Sequence, residues 1–501
     1  MNASPSPIRI DDLGIMLRPD HGRAILRFFV PGLEDVGPGE SRAAGVIERI
    51  MALTDLQVDT ALRDIDERLA DRHPNFDDVL HRNAELVVQR LVPGTVLSAA
   101  RQRLFGATFS HEYTIEGAAL CNPSIVRHPS QPDDGRTAFI LSVRGIGEGH
   151  RSSIGFRTGW VTSDGDVHIE APGALPCMAL AAPGVHRRAV LHRSLSDLGD
   201  DQENAAFVLE GLPEVFDDSL LAARVEALAA DAATRRNIDT TTTHLARVAE
   251  SSYHLTFPMR SDVSERVLWP QTSAEAHGME DARFVEITDG SSPRYCATYT
   301  AFDGTNIAQH LLTTDDFVSF NVSPMAGDAA KGKGLALFPR KVHGQYVALS
   351  RSDRETNSIA FSDDLHCWDT STIIQSPELP WEILQLGNCG SPIETKAGWL
   401  VLTHGVGPLR TYSIGAILLD LDEPMHVLKI AHEPVIRPGR LHRDGYVPNV
   451  VYTCGALAIG DQLVLPYGVG DQAIAVATLS IDELIDSMRS TARHRRSDPH
   501  D

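Results

Sequence analysis

An all-β chain folded as a five-bladed β-propeller, with an N-terminal helical segment and a helical insertion, is what the residue pattern predicts. Two recurrences and one contrast lead there. A strand-like run recurs five times, as Phe139-Ile-Leu-Ser-Val-Arg144, Tyr295-Cys-Ala-Thr-Tyr-Thr300, Tyr346-Val-Ala-Leu-Ser-Arg351, Trp399-Leu-Val-Leu-Thr-His404 and Gln462-Leu-Val-Leu-Pro-Tyr467. After a polar gap each is followed by a second run, beginning at Ile154, Ile307, Ser358, Ser413 and Ala473. The last four repeats are spaced by roughly 50 to 60 residues, the size of one four-stranded blade. Helical periodicity, by contrast, is confined to the N-terminus, one long gap and a short C-terminal piece.

Residues 1–104 form the expected helical extension. Val58, Leu62, Ile65 and Leu69 recur at helical spacing, and after His73-Pro74 so do Phe76, Leu80, Ala84, Val87 and Leu91, up to Pro93-Gly94. Stripes this narrow need a partner to bury them, either the rest of the chain or a second copy, so a homo-oligomer formed through these helices is a candidate. Residues 105–480 are short apolar runs broken by Gly, Pro, Asn and Asp, the propeller proper. Three blades share a polar tag, Thr314-Asp-Asp-Phe317, Ser362-Asp-Asp-Leu365 and Asp420-Leu-Asp-Glu423. The gap after the first repeat is too long for one blade and holds the helical insertion, about residues 180–255, with an inserted helix or two between Ser219 and Val248. Residues 481–501 are the end of a short helix capped by Ser480, with Glu483 at its third position, and a polar tail from Ser490.

The 501 residues carry 45 Lys and Arg against 67 Asp and Glu, a net charge of −22. Such a chain repels nucleic acid and anionic lipid, so neither a nucleic-acid nor a membrane-surface partner is expected. Cys121, Cys177, Cys296, Cys367, Cys389 and Cys454 stand singly with no metal-like spacing, which reads as reduced buried thiols. The opening Met1-Asn-Ala-Ser-Pro-Ser-Pro7 has neither a basic nor an apolar region, and no later stretch approaches a membrane span. The expected location is cytoplasmic.

Propeller geometry brings the ends of the inner strands, Arg144, Thr300, Arg351, His404 and Tyr467, toward one mouth. Gly278-Met-Glu-Asp-Ala-Arg-Phe284 sets two carboxylates between a Gly and an Arg just before an apolar strand. On a regular strand Glu280 and Asp281 face opposite ways, so at most one enters a given pocket. The residues alone fit an Asp–Arg turn that anchors a blade better than they fit catalysis. Gly327-Asp-Ala-Ala-Lys-Gly-Lys-Gly334 approaches a phosphate-binding P-loop but has Gly334 where Ser or Thr must hold Mg²⁺, and Pro339 where the helix must run. Lys333 and Arg351 are still placed near one rim, as a working pair or as two solvated cations. No zincin, serine-hydrolase or dinucleotide motif is present, and no cofactor is expected.

Taken in order, Gly278-Met-Glu-Asp-Ala-Arg283, Lys333 ahead of Pro339-Arg-Lys341, Arg351, Ser362-Asp-Asp364, Gly390-Ser-Pro-Ile-Glu394, Thr403-His-Gly-Val406 and Val447-Pro-Asn-Val450 resemble glycoside hydrolase family 130. This family comprises inverting β-mannoside phosphorylases and their hydrolytic relatives, built on five-bladed propellers. The resemblance implies that Asp281 is the general acid, passing its proton through a hydroxyl of the bound mannose. It implies that Lys333, Arg351 and His404 hold inorganic phosphate, the co-substrate. Hydrolytic members look as though they replace this basic set by carboxylates, so its retention favours phosphorolysis. An inverting cleavage by water needs a second carboxylate as base, whereas phosphate arrives as an anion and needs a positive clamp instead. By position, Asn122, Arg144, Asp303, Glu394 and Asp444 are candidates to grip the sugar. The Gly-rich loop from Arg144 to Arg151 either closes over the acceptor or merely connects strands. The expected activity is a hexosyltransferase reaction, cleavage of a β-mannoside oligosaccharide by phosphate to α-mannose 1-phosphate. An inverting β-mannosidase and a non-catalytic carbohydrate-binding propeller are the alternatives.

Overall fold

The protein is described here from a computed structural model that covers residues 9–33, 42–73, 75–92, 94–231, 235–290 and 294–491. Pro74, Pro93, the opening seven residues and most of the expected polar tail lie outside these. The chain is mostly β-sheet with helices, in two compact units. One contains Asp20–Gly117 and Gly173–Met178, the other Met1–Pro19, Ala118–Pro172 and Ala179–Asp501.

In the first unit, the two sequence-predicted helices are Asp55–Leu69 and Phe76–Val88. Thr54 caps the former in a capping box with Gln57, and the periodic Val58, Leu62, Phe76, Leu80, Ala84 and Val87 are all buried. The helices Arg42–Ala52 and Ala99–Thr108 join them, and Ala24–Phe28 pairs with Ser110–Thr114. The expected boundary at residue 104 therefore falls inside a helix. The helix Arg42–Ala52 carries its own stripe of Ala43, Val46, Ile47 and Ile50 against the same core.

The second unit is a series of antiparallel groups. Ala119–Arg127, Thr137–Ile146, Ser152–Val161 and Val167–Ile169 form the first, and Gly278–Glu286, Tyr295–Phe302, Ile307–Thr314 and Ser319–Pro324 the second. A third is Ala336–Leu337, Tyr346–Ser350, Asn357–Ser362 and Ser371–Gln375. A fourth runs through Gln385–Asn388, Gly398–Gly407, Thr411–Leu419 and Val427–Ile430. In the last group Val451–Tyr452, Gln462–Val469 and Ala473–Ser480 are completed by Asp11–Leu17 from the other end of the chain. Every one of the ten recurring runs lies on a strand. The recurrent polar tag is an Asx turn: Asp316 accepts from Val318 N–H at 2.8 Å, Asp364 from His366 at 2.7 Å and Asp420 from Asp422 at 2.9 Å. Each carboxylate thus caps a chain reversal after the second run of its repeat.

Among the described residues the insertion has four helices, Arg188–Asp197, Gln202–Leu209, Asp218–Ala230 and Ile238–Glu250, around their own core of Leu191, Leu195, Val208, Leu228 and Leu245. The first two are too short to show a helical period in the sequence. At the C-terminus Ser480 caps Ile481–Ser487, accepting from Glu483 N–H at 3.1 Å. Ser490, expected to begin the tail, instead pairs with Lys429. Among the described residues no helix is long and apolar enough to cross a membrane.

Candidate active site

Regular strands alternate their side chains, and the site begins where that alternation fails. The pairing of Gly278–Glu286 with Tyr295–Phe302 slips between Glu280 and Arg283, and Asp281 takes a left-handed backbone at φ 56°. Such a bulge turns two neighbouring side chains to the same face, and Asp tolerates the left-handed region better than most residues. The expectation that Glu280 and Asp281 diverge is therefore corrected: Arg144 donates to both, to Glu280 Oε1 at 2.7 Å and to Asp281 Oδ1 at 3.0 Å. Arg283 fixes the bulge from behind. It donates to the Asp281 carbonyl at 2.8 Å, to the Cys389 carbonyl at 2.8 Å and to the Tyr452 hydroxyl at 3.0 Å. A second bulge, between Cys121 and Ser124, holds Asn122 at φ 48°.

Of these residues Asn122, Arg144, Asp281 and Tyr452 line a cavity of about 550 Å³ together with Lys333, Arg351 and His404, while Glu280 stays behind its wall. Lys333 sits on a loop whose carbonyls are tied to neighbouring strands: Gly332 accepts from Gln309 at 3.0 Å, Gly334 from Asn388 at 2.7 Å, and Leu335 from the Thr298 hydroxyl. No helix follows this loop, in keeping with the rejected P-loop; the strand Ala336–Leu337 does. The Lys333 ammonium rests 2.6 Å from Glu280 Oε2, so Glu280 bridges Lys333 and Arg144.

Arg351 leaves the end of its strand and lies against two glycines. A Cβ on Gly334 would come within 2.8 Å of Arg351 Cδ, and one on Gly387 within 2.9 Å of Arg351 Cδ and 2.8 Å of His404 Cε1. His404 is fully buried, with the Tyr412 ring stacked on it at 6.0 Å. Its Nδ1 faces the Asn388 carbonyl at 3.2 Å, which can only accept, so that nitrogen carries the proton and Nε2 receives the Arg351 guanidinium at 3.2 Å. Burial, and then the Arg351 and Arg283 charges, push the His404 pKa well below its ordinary value. His404 is thus a neutral imidazole that orients Arg351, and adds no charge of its own.

Burial alone would raise Asp281, but the charges of Arg144, Lys333 and Arg283 outweigh it and hold the carboxyl below the usual range. Asp471, in the same wall, is pushed up to about 6 by burial, against the pull of Arg144 and with the help of Asp281. Among the described lining residues Arg354 and Arg410 add two further cations. A chain of net −22 therefore presents a cavity whose charged lining groups are mostly cationic, suited to an anion beside a polyhydroxylated ligand. Among the described residues no three His, Cys, Asp or Glu side chains converge as metal ligands would.

Of the expected site residues, Asp281, Lys333, Arg351, His404, Asn122 and Arg144 share the cavity. Three do not. Glu394 is exposed and clamped by Arg340 at 2.7 Å, Asp444 is exposed on a turn packed over Gly470, and the Asp303 carboxylate is taken up by its own turn and by Arg247. Two expected strand ends also stay out, Thr300 bonded to Gln309 within the sheet and Tyr467 buried. Asp471, Tyr452 and Arg410 were missed, and Glu280 was noted beside Asp281 but given no role. The signal for Asp471 was its place in Gly470-Asp471 directly after an inner strand. The Gly-rich loop ends in a turn at Glu148–His150, where His150 meets the Tyr446 hydroxyl.

A family model described as beta-1,4-mannooligosaccharide phosphorylase matches residues 235–490. The 1,2-beta-oligomannan phosphorylase of Thermoanaerobacter sp. (strain X514) is 35% identical over 225 residues, which are 44% of this chain and 73% of that protein. The beta-1,2-mannobiose phosphorylase of Listeria innocua serovar 6a is 31% identical over 45% of this chain and 64% of its own length. A solved structure of beta-1,2-mannobiose phosphorylase from Listeria innocua, in complex with beta-1,2-mannobiose, aligns at a TM-score of 0.43 and 22% identity, over 75% of this chain and 93% of that one.

Proposed function

We propose, because this chain belongs to glycoside hydrolase family 130, that it is an inverting phosphorylase, a hexosyltransferase converting a β-mannoside and inorganic phosphate into α-mannose 1-phosphate and a shortened acceptor. One observation carries this reading: a carboxylate, Asp281, faces the same cavity as Lys333 and an Arg351 aimed by His404. Phosphate is the co-substrate and no cofactor is required. Lys333 supplies a point charge and Arg351 a planar fork, while Asn122, Arg144 and Asp471 offer polar groups to the sugar. Asp303, Glu394 and Asp444 are not proposed as sugar ligands.

The carboxyl of Asp281 is ionised while the cavity holds only its cations. Phosphate between Lys333 and Arg351 offsets that positive field, so Asp281 takes up its proton as the site fills. A phosphate oxygen then bonds to the anomeric carbon from the face opposite the glycosidic oxygen and the C1–O bond breaks. The proton of Asp281 ends on the departing oxygen, relayed by a mannose hydroxyl. The clamp aligns the nucleophile and stabilises charge as it redistributes.

The five antiparallel groups, the last completed by Asp11–Leu17, support reading the larger unit as a five-bladed propeller in which the two chain ends share a blade. The six free cysteines, five of them buried, support a cytoplasmic setting. Self-association through the N-terminal helices belongs to the same reading, supported by the exposed Leu56, Leu86, Val92 and Val96. A single elution volume matching a monomer at all concentrations would remove it. The activity is tested in the synthetic direction, from α-mannose 1-phosphate with glucose, mannose, N-acetylglucosamine and mannobioses as acceptors. Phosphate release with a new β-mannoside supports the proposal; no release with any acceptor counts against it.

A further inference from the structure

The helical insertion reaches a turn at the cavity edge through the ion pair of Arg247 with Asp303. Phe302, Thr305 and Ile307 line the cavity, and between them the chain reverses at Asp303–Asn306. Pairing places Thr300 opposite Glu280 and Phe302 opposite Gly278, so this turn stands two residues beyond the carboxylates, as the lip of the cavity. Asp303 holds it together. Its Oδ1 accepts from Thr305 N–H at 2.8 Å and Asn306 N–H at 2.6 Å, and its Oδ2 from Asn306 Nδ2 at 3.0 Å. Its carbonyl receives His277 Nδ1 at 2.9 Å, and at Gly304 any Cβ would meet the His277 ring at 2.7 Å.

The remaining hydrogen bond to Oδ2 comes from Arg247 at 2.9 Å, in the last turn of the insertion helix Ile238–Glu250. That helix is seated in the insertion's own core through Leu245 and Val248. The Asp303 carboxylate is four-fifths buried, whereas Arg247 keeps about two-fifths of its side chain exposed, so the pair acts by holding geometry more than by charge. The turn is thus braced from outside its own sheet.

We infer that Arg247 is a positioning residue through which the helical insertion sets the lip at Phe302–Ile307 and so tunes recognition of the acceptor sugar. This rests on the phosphorylase reading, in which the sugar beyond the scissile bond must pass the lip. The phosphate clamp is built from other residues, Lys333 held at 2.6 Å by Glu280 and Arg351 resting against Gly334, Gly387 and His404. A lip displaced by a fraction of an ångström costs acceptor binding and leaves the clamp alone.

The test is steady-state kinetics of the full chain in both directions, comparing wild type, Arg247→Met and Arg247→Lys. Arg247→Met is expected to raise the KM for acceptor about five- to tenfold while phosphate KM stays within about twofold, and Arg247→Lys to recover most of the loss. Should Arg247→Met not fold, Arg247→Gln carries the same expectation. An unchanged acceptor KM, or acceptor and phosphate KM rising together, overturns the inference while leaving the phosphorylase reading in place. A wild-type protein with no phosphate-dependent turnover overturns that reading, and the inference falls with it.

Discussion

The two ends of the cavity are built in opposite ways. At the carboxylate end hydrogen bonding is already engaged: Arg144 spends its three nitrogens on Glu280, Asp281 and Ser152, Lys333 reaches Glu280, and Arg283 ties down the bulge. At the cationic end it is engaged only in part. Arg351 Nε and Asn388 Oδ1 are buried and, among the described residues, have no hydrogen-bond partner. Buried polar atoms left open cost stability, commonly about 1–3 kcal/mol each, and are tolerated where a ligand completes them. The proton donor is held in advance by the protein, whereas the phosphate end retains unused hydrogen-bonding capacity.

Substitutions at each end should fail differently. Asp281→Asn should cut kcat about a thousandfold or more with the fold intact, since it removes the only proposed proton source; circular dichroism and single-turnover rates check this. Arg351→Ala and Lys333→Ala should each raise phosphate KM by about tenfold to a hundredfold and change the mannoside KM little. Either variant with normal phosphate dependence would remove that residue from the clamp. Gly387→Ala attacks the same end through packing alone, its Cβ meeting His404 and Arg351 below 3 Å; roughly a tenfold rise in phosphate KM is expected. A parallel rise in mannoside KM would show that the two ends are not independent.

The smallest effect is a dependence on pH. Asp471 has a folded pKa of about 6, above that of an unfolded aspartate. A group raised in this way favours folding below the unfolded pKa, and that contribution is lost as pH rises through about 4 to 6. Asp471→Asn should therefore be more stable than wild type at pH 7.5, by no more than about 3 kcal/mol, with the difference closing towards pH 4. Thermal melts at the two pH values measure it.

The strands were legible because each repeat carries two apolar runs and, in three blades, an Asx turn; packing needs nothing nonlocal to place them. Asp281, Lys333, Arg351 and His404 were legible through their motifs, and Asn122 and Arg144 through their positions beside inner strands. Bulges were not legible. A strand drawn with regular alternation parts Glu280 from Asp281, and only the register against Tyr295–Phe302 shows that they turn together. The same limit misplaced Asp303, where proximity to a strand end suggested a sugar ligand but a turn claims the carboxylate. The neutrality of His404 within the basic set was not legible, because burial, decided by residues far away in sequence, is what keeps the ring neutral.

The central claim is that phosphate, not water, attacks the mannoside. Phosphorus NMR of the protein mixed with β-1,2- or β-1,4-mannobiose and inorganic phosphate tests it most directly. The account predicts α-mannose 1-phosphate as the first product, formed mole for mole with acceptor, and no cleavage once phosphate is omitted. Free mannose released at the same rate with or without phosphate would contradict it.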